Sequence, residues 1–313
     1  MGNNISQPSR SRTELLEERL RKACAEHQRI QAIRGRSSKL IDENKKIIRA
    51  YIAAYESGKP FFARETIASL DQQLDAAREA GIPEGKDGII TLKDVVDREV
   101  SWPYITHPSV TNPNPHMNVP YPITVYWEKS EKPSGWRLSD LEEAFREHQE
   151  SWNKSATCRS LIKILQESAA KLQMPIKKVV CFDLGGLDPR TLHGEFFDWM
   201  RRSATQHAAA LTMAKTLSEA QGGVEAKCYT QDPAYTSVDE QLLAGLGFEV
   251  LGDPKGFLEV DESTLVFAVQ PKMPVRQIVA DLAKPAAMVW GKIEANRDGE
   301  ISRDKIDEAV GRG

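Results

Sequence analysis

The sequence predicts an α/β fold of three layers, in which a mostly parallel sheet is covered by helices on both faces. From residue 151 onward, short apolar runs alternate with longer helical patterns, an order typical of right-handed βαβ crossovers. One apolar run ends in two glycines, Gly185 and Gly186, and the next ends in Asp232 followed by proline. Nucleotide-binding α/β domains hold a ligand with a glycine turn after one strand and a carboxylate after the next.

The N-terminal residues predict helices that precede this domain. Residues 1–40 are polar and rich in arginine, and we interpret them as a helical or disordered arm. Stronger helical patterns follow over residues 41–55 and 66–80, separated by a Ser-Gly-Lys-Pro breaker at 57–60.

A segment rich in proline and asparagine connects these helices to the α/β domain. Residues 103–122 contain six prolines and three asparagines, too many for regular structure, so we interpret the segment as an ordered connector. A helix is predicted over residues 139–149, with Ser139 as its N-cap and Glu142 three residues later. Residues 41–150 are thus a helical preamble and a connector.

The α/β domain is assigned to residues 151–293, and the charged, weakly helical tail to residues 294–313. The apolar and helical patterns predict strands over residues 178–183, 224–230, 248–251, 264–269 and 286–290. They predict helices over residues 155–172, 195–221, 237–246 and 275–282.

Composition narrows the classes of function. The 313 residues are 40% hydrophobic with a net charge of -3, which suits a globular protein without general attraction to nucleic acid. An RNA partner would therefore depend on local basic stretches at residues 10–36 and 201–202, and such stretches are more often solvated helix faces. No apolar run reaches the roughly 18 residues that a transmembrane helix needs.

The four cysteines and the N-terminus bear on location. The cysteines lack metal-ligand spacing, and two of them fall in predicted buried strands, which indicates a reducing intracellular compartment, cytoplasm or nucleus. Gly2 with Ser6 fits the pattern for N-myristoylation. One acyl chain would give only weak peripheral membrane association, and an unmodified N-terminus remains the alternative.

Several segments in this part of the chain resemble a known family, the SRR-like (sensitivity to red light reduced) domain, in a divergent, fungal-type form. They are Trp152, Ser155 and Cys158, the strand and glycine loop over 178–186, the helix over 206–217, Asp232-Pro233-Ala234-Tyr235, and Glu240, Leu242, Leu243, Leu246 and Gly247. The resemblance implies a Rossmann-like fold and, for the family, roles in light and clock signalling or haem-related regulation.

Two segments depart from the family pattern. Many relatives have a Met-Pro-His-Cys type sequence after the fourth strand, where this chain has Gln-Pro-Lys-Met-Pro at 270–274. The usual Gly-Asn-Ser near the end is replaced by Trp-Gly-Lys at 290–292. The missing histidine weakens any transfer of chemistry from that loop.

The predicted ligand site lies where the strands end. Backbone N–H groups of Gly185 and Gly186 could face a phosphate or carboxylate, although a tight turn would explain both glycines as well. Asp183 could point into the same crevice, and Asp232 could accept hydrogen bonds from ribose hydroxyls or simply form the turn. Tyr235 and Lys272 are weaker candidates for ligand contact, at the border of this crevice.

Other chemistries are not supported. The G-x-G-x-x-G fingerprint is incomplete because Gly194 comes too late, and no zinc, P-loop or nucleophile-elbow pattern is present, so no metal and no catalytic residue is assigned. His193, Glu195 and His207 are candidate acid or base groups, and His207 is more often a packed side chain in such a helix. The tail partly matches an EF-hand, but Lys305 replaces the acid that encloses calcium.

Two functions follow from the sequence. The first is a regulatory or ligand-binding module that takes a small nucleotide-type ligand or a protein partner. The second is a transferase of fungal secondary metabolism that uses an adenosyl or aminoacyl-tRNA substrate, by analogy with cyclodipeptide synthases. The sequence identifies no cofactor and leaves open whether the chain is an enzyme.

Overall fold

The computed structural model describes residues 46–47, 49–80, 89–103, 108–111, 124–127, 136–188 and 196–291. Along the chain, the helices are α1 (Arg64–Glu79), α2 (Leu138–Lys154), α3 (Ala156–Ala169), α4 (Phe196–Ala220), α5 (Ser237–Gly245), α6 (Lys255–Leu258) and α7 (Val275–Leu282). Residues 49–56 are also helical.

The strands form two hairpins and one larger sheet. The hairpins pair β1 (Ile89–Lys93) with β2 (Glu99–Pro103), and β3 (Pro108–Thr111) with β4 (Thr124–Trp127), both antiparallel. The larger sheet contains β5 (Lys178–Phe182), β6 (Lys227–Gln231), β7 (Phe248–Val250), β8 (Thr264–Ala268) and β9 (Ala287–Trp290).

All five strands of the larger sheet are parallel, in the order β7-β6-β5-β8-β9. From β5, strands β6 and β7 are added in turn on one side, and the chain then returns so that β8 pairs with the other side of β5. The predicted α/β fold with a parallel sheet is therefore confirmed. The strand order reverses between β5 and β8, and ligands of open α/β sheets bind at such a switch point.

Alternate residues of the central strand face two separate cores. Val179 and Cys181 belong to a cluster formed with α2, α3, α4 and α5. Val180 and Phe182 belong to a second cluster, formed with α1, β1, α6 and α7. Because successive side chains of a strand point to opposite faces, a run that is apolar at every position requires cover on both sides.

Helix α1 supplies much of the second layer, although it lies far from the sheet in sequence. The connection from β7 to β8 contains only the four-residue α6, too short to cover that face. Ile67, Leu70 and Leu74 of α1 are fully buried in the second cluster. The N-terminal residues therefore complete the core of the sheet.

Polar contacts fix the position of α1. The guanidinium of Arg64 donates to the carbonyl oxygens of Leu258 and Val260, at 2.9 and 2.7 Å. In the second half of the helix, Asp71 pairs with Lys255 at 3.4 Å and Asp75 pairs with it at 2.6 Å. These contacts join α1 to the segment around α6.

Most predicted elements of residues 151–291 match the structure to within a few residues at their ends, but several features differ upstream of them, and one of these is the unpredicted strand β4. The β1–β2 hairpin was not predicted. The expectation of no regular structure over 103–122 was wrong at β3, where proline occupies the first position of a strand, a place that tolerates it. Ser139 is not an N-cap, because α2 begins one residue before it and Asp140 accepts the backbone N–H of Arg137 at 3.3 Å.

In the described part of the chain, no helix is both long enough and apolar enough to cross a bilayer.

Replacing Leu70 by alanine tests the contribution of α1. Leu70 is fully buried, so Leu70→Ala should lower the free energy of unfolding by about 2–5 kcal/mol. Urea denaturation followed by circular dichroism measures this change. The matched control is Gln72→Ala on the exposed side of the same helix, and an equal, small effect of both changes would contradict the role assigned to α1.

Candidate functional site

Three loops meet at the carboxyl-terminal edge of the sheet, after β5, β6 and β8. Parallel strands all deliver their following loops to the same edge, so residues distant in sequence converge here. Asp183 follows β5, Asp232 follows β6, and Lys272 lies in the loop after β8. The predicted site residues are therefore brought to one region.

The loop after β5 has a tightly defined backbone. Asp183 has φ +56° and Gly185 has φ +84°, both in the left-handed region that glycine adopts at little cost and aspartate tolerates. The N–H of Gly185 donates to Oδ2 of Asp232 at 2.7 Å, and the N–H of Ala234 donates to Oδ1 of the same carboxylate at 2.8 Å. Asp232 thus holds the loops after β5 and β6 together.

A second carboxylate, which the sequence analysis missed, completes this loop. Oδ1 of Asp239 accepts the N–H groups of Leu187 and Asp188, at 2.8 and 2.7 Å. Its Oδ2 accepts the N–H and the hydroxyl of Thr236, at 2.8 and 3.1 Å. The signal in the sequence was the Thr236-x-x-Asp239 capping box at the start of α5.

Gly186 allows the loop to lie close to α5. A Cβ atom at this position would lie 3.1 Å from Oδ2 of Asp239 and 3.2 Å from the carbonyl oxygen of Ala234. A side chain here would force its neighbours to move by a few tenths of an ångström, so the close approach favours glycine. The amides of Gly185, Leu187 and Asp188 already donate to protein carboxylates, so a phosphate would have to displace these contacts.

The pKa of Asp232 is raised strongly by its surroundings at this edge. Its pKa is raised to about 6, first by burial and then by the negative charge of Asp183, while the N–H donors of Ala234 and Gly185 and the charge of Lys272 act in the opposite sense. Asp183 also accepts the backbone N–H of Lys272. Two carboxylates and one exposed ammonium group are therefore neighbours at the ends of β5, β6 and β8.

Tyr235 belongs to a buried hydrogen-bond chain. Nδ1 of His207 lies 2.7 Å from the carbonyl oxygen of Ser203, which can only accept, so Nδ1 carries the proton. Nε2 then accepts the hydroxyl proton of Tyr235 at 2.8 Å, and the tyrosine oxygen accepts from Thr230 at 2.7 Å.

His207 is neutral in this chain of hydrogen bonds. It is fully buried, and burial lowers its pKa to about 4. This agrees with the interpretation of His207 as a packed side chain.

A cavity of about 470 Å³ opens beside Asp232. It lies at the ends of β6 and β7, with the last turn of α1 at its border. The residues that line it include Arg78, Asp232, Tyr235, Glu240, Glu249 and Asp253.

Some predicted residues lie outside the described residues, namely Gly2, His193, Glu195 and the EF-hand-like tail. Within the described residues, no three histidine, cysteine or acidic side chains are grouped as metal ligands. The ligand-binding roles of Asp183, Gly185, Gly186, Asp232, Tyr235 and Lys272 stay predictions.

Comparison with protein-family models matches residues 142–309 to the SRR1 domain. This segment includes both Asp232 and Asp239 and excludes α1. A search of curated proteins gives no match to the chain, and a search of solved structures gives none either.

The raised pKa of Asp232 predicts a specific dependence of stability on pH. A carboxyl group whose folded pKa is raised stabilises the fold when protonated, and that contribution is lost as pH rises from its unfolded value of 3.8 through about 6. Asp232→Asn removes the titration. The stability of the natural chain relative to this variant should fall by about 2–3 kcal/mol between about pH 4 and pH 7.

Urea denaturation at a series of pH values measures this difference. Asp140→Asn serves as the control, because hydrogen bonding to Arg137 lowers the pKa of Asp140 and gives the opposite trend with pH. A difference for Asp232→Asn that stays constant with pH would show that this carboxyl is not perturbed as described.

Gly186→Ala should destabilise the fold by about 1–3 kcal/mol, because the new methyl group would press on Asp239 and Ala234. The matched control is Gly245→Ala at the end of α5, where a Cβ atom meets nothing within 4 Å and alanine should be neutral or slightly stabilising. Thermal unfolding of both variants checks this expectation, which is refuted if Gly186→Ala is as stable as the natural chain.

Proposed function

The chain belongs to the SRR1 domain family, and from that premise we propose that it is a regulatory, ligand-binding module. Its ligand is a small nucleotide-type molecule, bound in the crevice at the carboxyl-terminal edge of the sheet. The observation that carries the proposal is the convergence of Asp183, Asp232 and Lys272 around the switch point between β5 and β8. Open α/β sheets bind ligands at this place.

The chemistry of the three side chains fits such a ligand. Asp183 is half-buried and held in a left-handed conformation, so its carboxylate is preorganised to accept hydrogen bonds from ribose hydroxyls or an amine. Lys272 is exposed and offers an ammonium group to a phosphate or carboxylate. The ligand would contact side chains here, since amides of the glycine loop donate to Asp232 and Asp239.

Binding without turnover is favoured because the polar groups near the crevice already form hydrogen bonds within the protein. The hydroxyl of Tyr235 is engaged by Thr230 and His207, and both oxygens of Asp232 accept backbone amides. These groups are committed to holding the edge of the sheet.

A transferase is the second candidate, and one observation favours it. The pKa of Asp232 is raised to about 6, a value that allows a carboxyl to exchange protons near neutral pH. In that function, Asp232 would act as an acid or base toward an adenosyl or aminoacyl-tRNA substrate.

An intracellular location fits the same proposal. Cys158, Cys181 and Cys228 are buried and free, and burial raises the pKa of both Cys181 and Cys228. Inert buried thiols are typical of proteins from reducing compartments.

Two measurements test whether the chain binds such a ligand. Mass spectrometry identifies the molecules that copurify with the chain. Thermal-shift assays then measure stabilisation by adenine and nicotinamide nucleotides, S-adenosylmethionine and haem. A ligand supplied about 100-fold above its Kd should stabilise the chain by about 2.7 kcal/mol.

Asp183→Asn should weaken binding about tenfold or more, because it removes a charged acceptor. Asparagine keeps the left-handed backbone and the oxygen that accepts the N–H of Lys272.

Lys272→Ala should weaken binding of a phosphate-bearing ligand while leaving its own backbone N–H in place. The controls are Glu262→Gln and Lys284→Ala, exposed positions beyond the crevice. Copurified RNA would favour the transferase. No copurified molecule and no stabilisation by any member of the panel would refute the ligand-binding module.

A further inference from the structure

Gly291 lies against the start of the loop that carries Lys272. It directly follows Trp290, the last residue of β9, which is paired with the end of β8. We call the connection from β8 to α7, residues 269–274, the β8–α7 loop. Gly291 and the first residue of this loop, Val269, are neighbours at the carboxyl-terminal edge of the sheet.

The backbone of Val269 leaves no room for a side chain at position 291. A Cβ atom there would collide with the carbonyl oxygen of Val269 and would lie 3.3 Å from its carbonyl carbon. The obstacle is backbone, so it cannot turn aside as the end of a long side chain could. The backbone of Gly291 is not left-handed, so glycine serves here to leave space. Any substituent would have to displace the chain.

The first residues of the β8–α7 loop are the part that can move. Strand β8 is paired on both sides, with β5 and with β9. The guanidinium of Arg276 lies over the ring of Trp290, 5.7 Å from its centroid, which ties the end of β9 to α7. By contrast, residues 269–272 are only half-buried or exposed. A displacement at Val269 would therefore pass into these residues.

Such a displacement would reach the crevice. Lys272 follows Val269 by three residues, and its backbone N–H donates to Oδ2 of Asp183. The far end of the loop is fixed, because Met273 and Val275 are buried in the second cluster. Lys272 thus has its position set by a short stretch of chain between Val269 and Met273.

We propose that Gly291 is a positioning residue for the crevice: by leaving space for the carbonyl group of Val269, it sets the path of the β8–α7 loop and keeps Lys272 beside Asp183. Glycine has no side chain with which to contact a ligand, so its effect on binding is indirect. That effect rests on the ligand proposed for the crevice, whereas the position of the loop can be measured without a ligand.

Amide hydrogen exchange, followed by NMR on the full chain, tests the position of the loop. In Gly291→Ala, the N–H of Lys272 should exchange about tenfold faster or more, because its hydrogen bond to Asp183 is lost. The N–H groups of Gly185, bonded to a different carboxylate, and of Val266, in the middle of β8, should keep their rates. A general loss of stability would instead accelerate all three.

Gly252→Ala is the matched control. Gly252 also follows a strand at this edge, two residues after β7. A Cβ atom there would lie 3.7 Å from Nη2 of Arg78, which is an ordinary contact. This variant should leave all three exchange rates unchanged.

Calorimetric titration with adenosine diphosphate measures the consequence for binding. Gly291→Ala should weaken binding of this nucleotide about fivefold or more, because the ammonium group of Lys272 is displaced. Adding Gly291→Ala to Lys272→Ala should weaken it little further, since both changes act through one loop.

An unchanged rate at Lys272 in Gly291→Ala would overturn the positioning role. Equal acceleration of all three amides, or failure of this variant to fold, would also overturn it by making Gly291 a general structural residue. Additive weakening of binding in the double variant would overturn it as well, by giving Gly291 a route that does not involve Lys272. If the natural chain does not bind adenosine diphosphate, the ligand proposal fails for this nucleotide, and the exchange rates alone decide the role of Gly291.

Discussion

The edge of the sheet depends on two buried carboxylates that accept backbone amides. The carboxylate of Asp232 accepts the backbone N–H groups of Gly185 and Ala234. The carboxylate of Asp239 accepts those of Leu187, Asp188 and Thr236. A buried anion with several N–H donors is stabilised by them, while each donor avoids the cost of burial without a partner. The loops after β5 and β6 are therefore joined to each other and to the start of α5.

The position of α1 follows from a second requirement, the burial of an apolar face of the sheet. The central strands are apolar on both faces, and the short connection through α6 leaves one face without enough cover. Helix α1 fills that space with Ile67, Leu70 and Leu74, and Arg64 donates to carbonyl oxygens next to α6. The matched SRR1 domain segment begins only at residue 142, so residues outside it contribute both to the core and, through Arg78, to the lining of the cavity.

The balance of charge at this edge differs between the two sides of β6. Near the switch point, Lys272 offsets part of the negative charge of Asp183 and Asp232. Beyond β6, the guanidinium of Arg78 is paired with Asp75 and the carboxylates predominate.

The sequence by itself determined the α/β class, most elements of residues 151–291 and the convergence of Asp183, Asp232 and Lys272, because periodicity and strand-end position are local signals. It also allowed the interpretation of His207 as a packed residue. Only the tertiary structure decided the partners: that Asp232 and Asp239 bind the glycine loop, that α1 covers the sheet, and that Tyr235 bonds to His207. These contacts join residues dozens of positions apart, from 28 to more than 190, and a hydrogen bond leaves no periodic trace in the sequence.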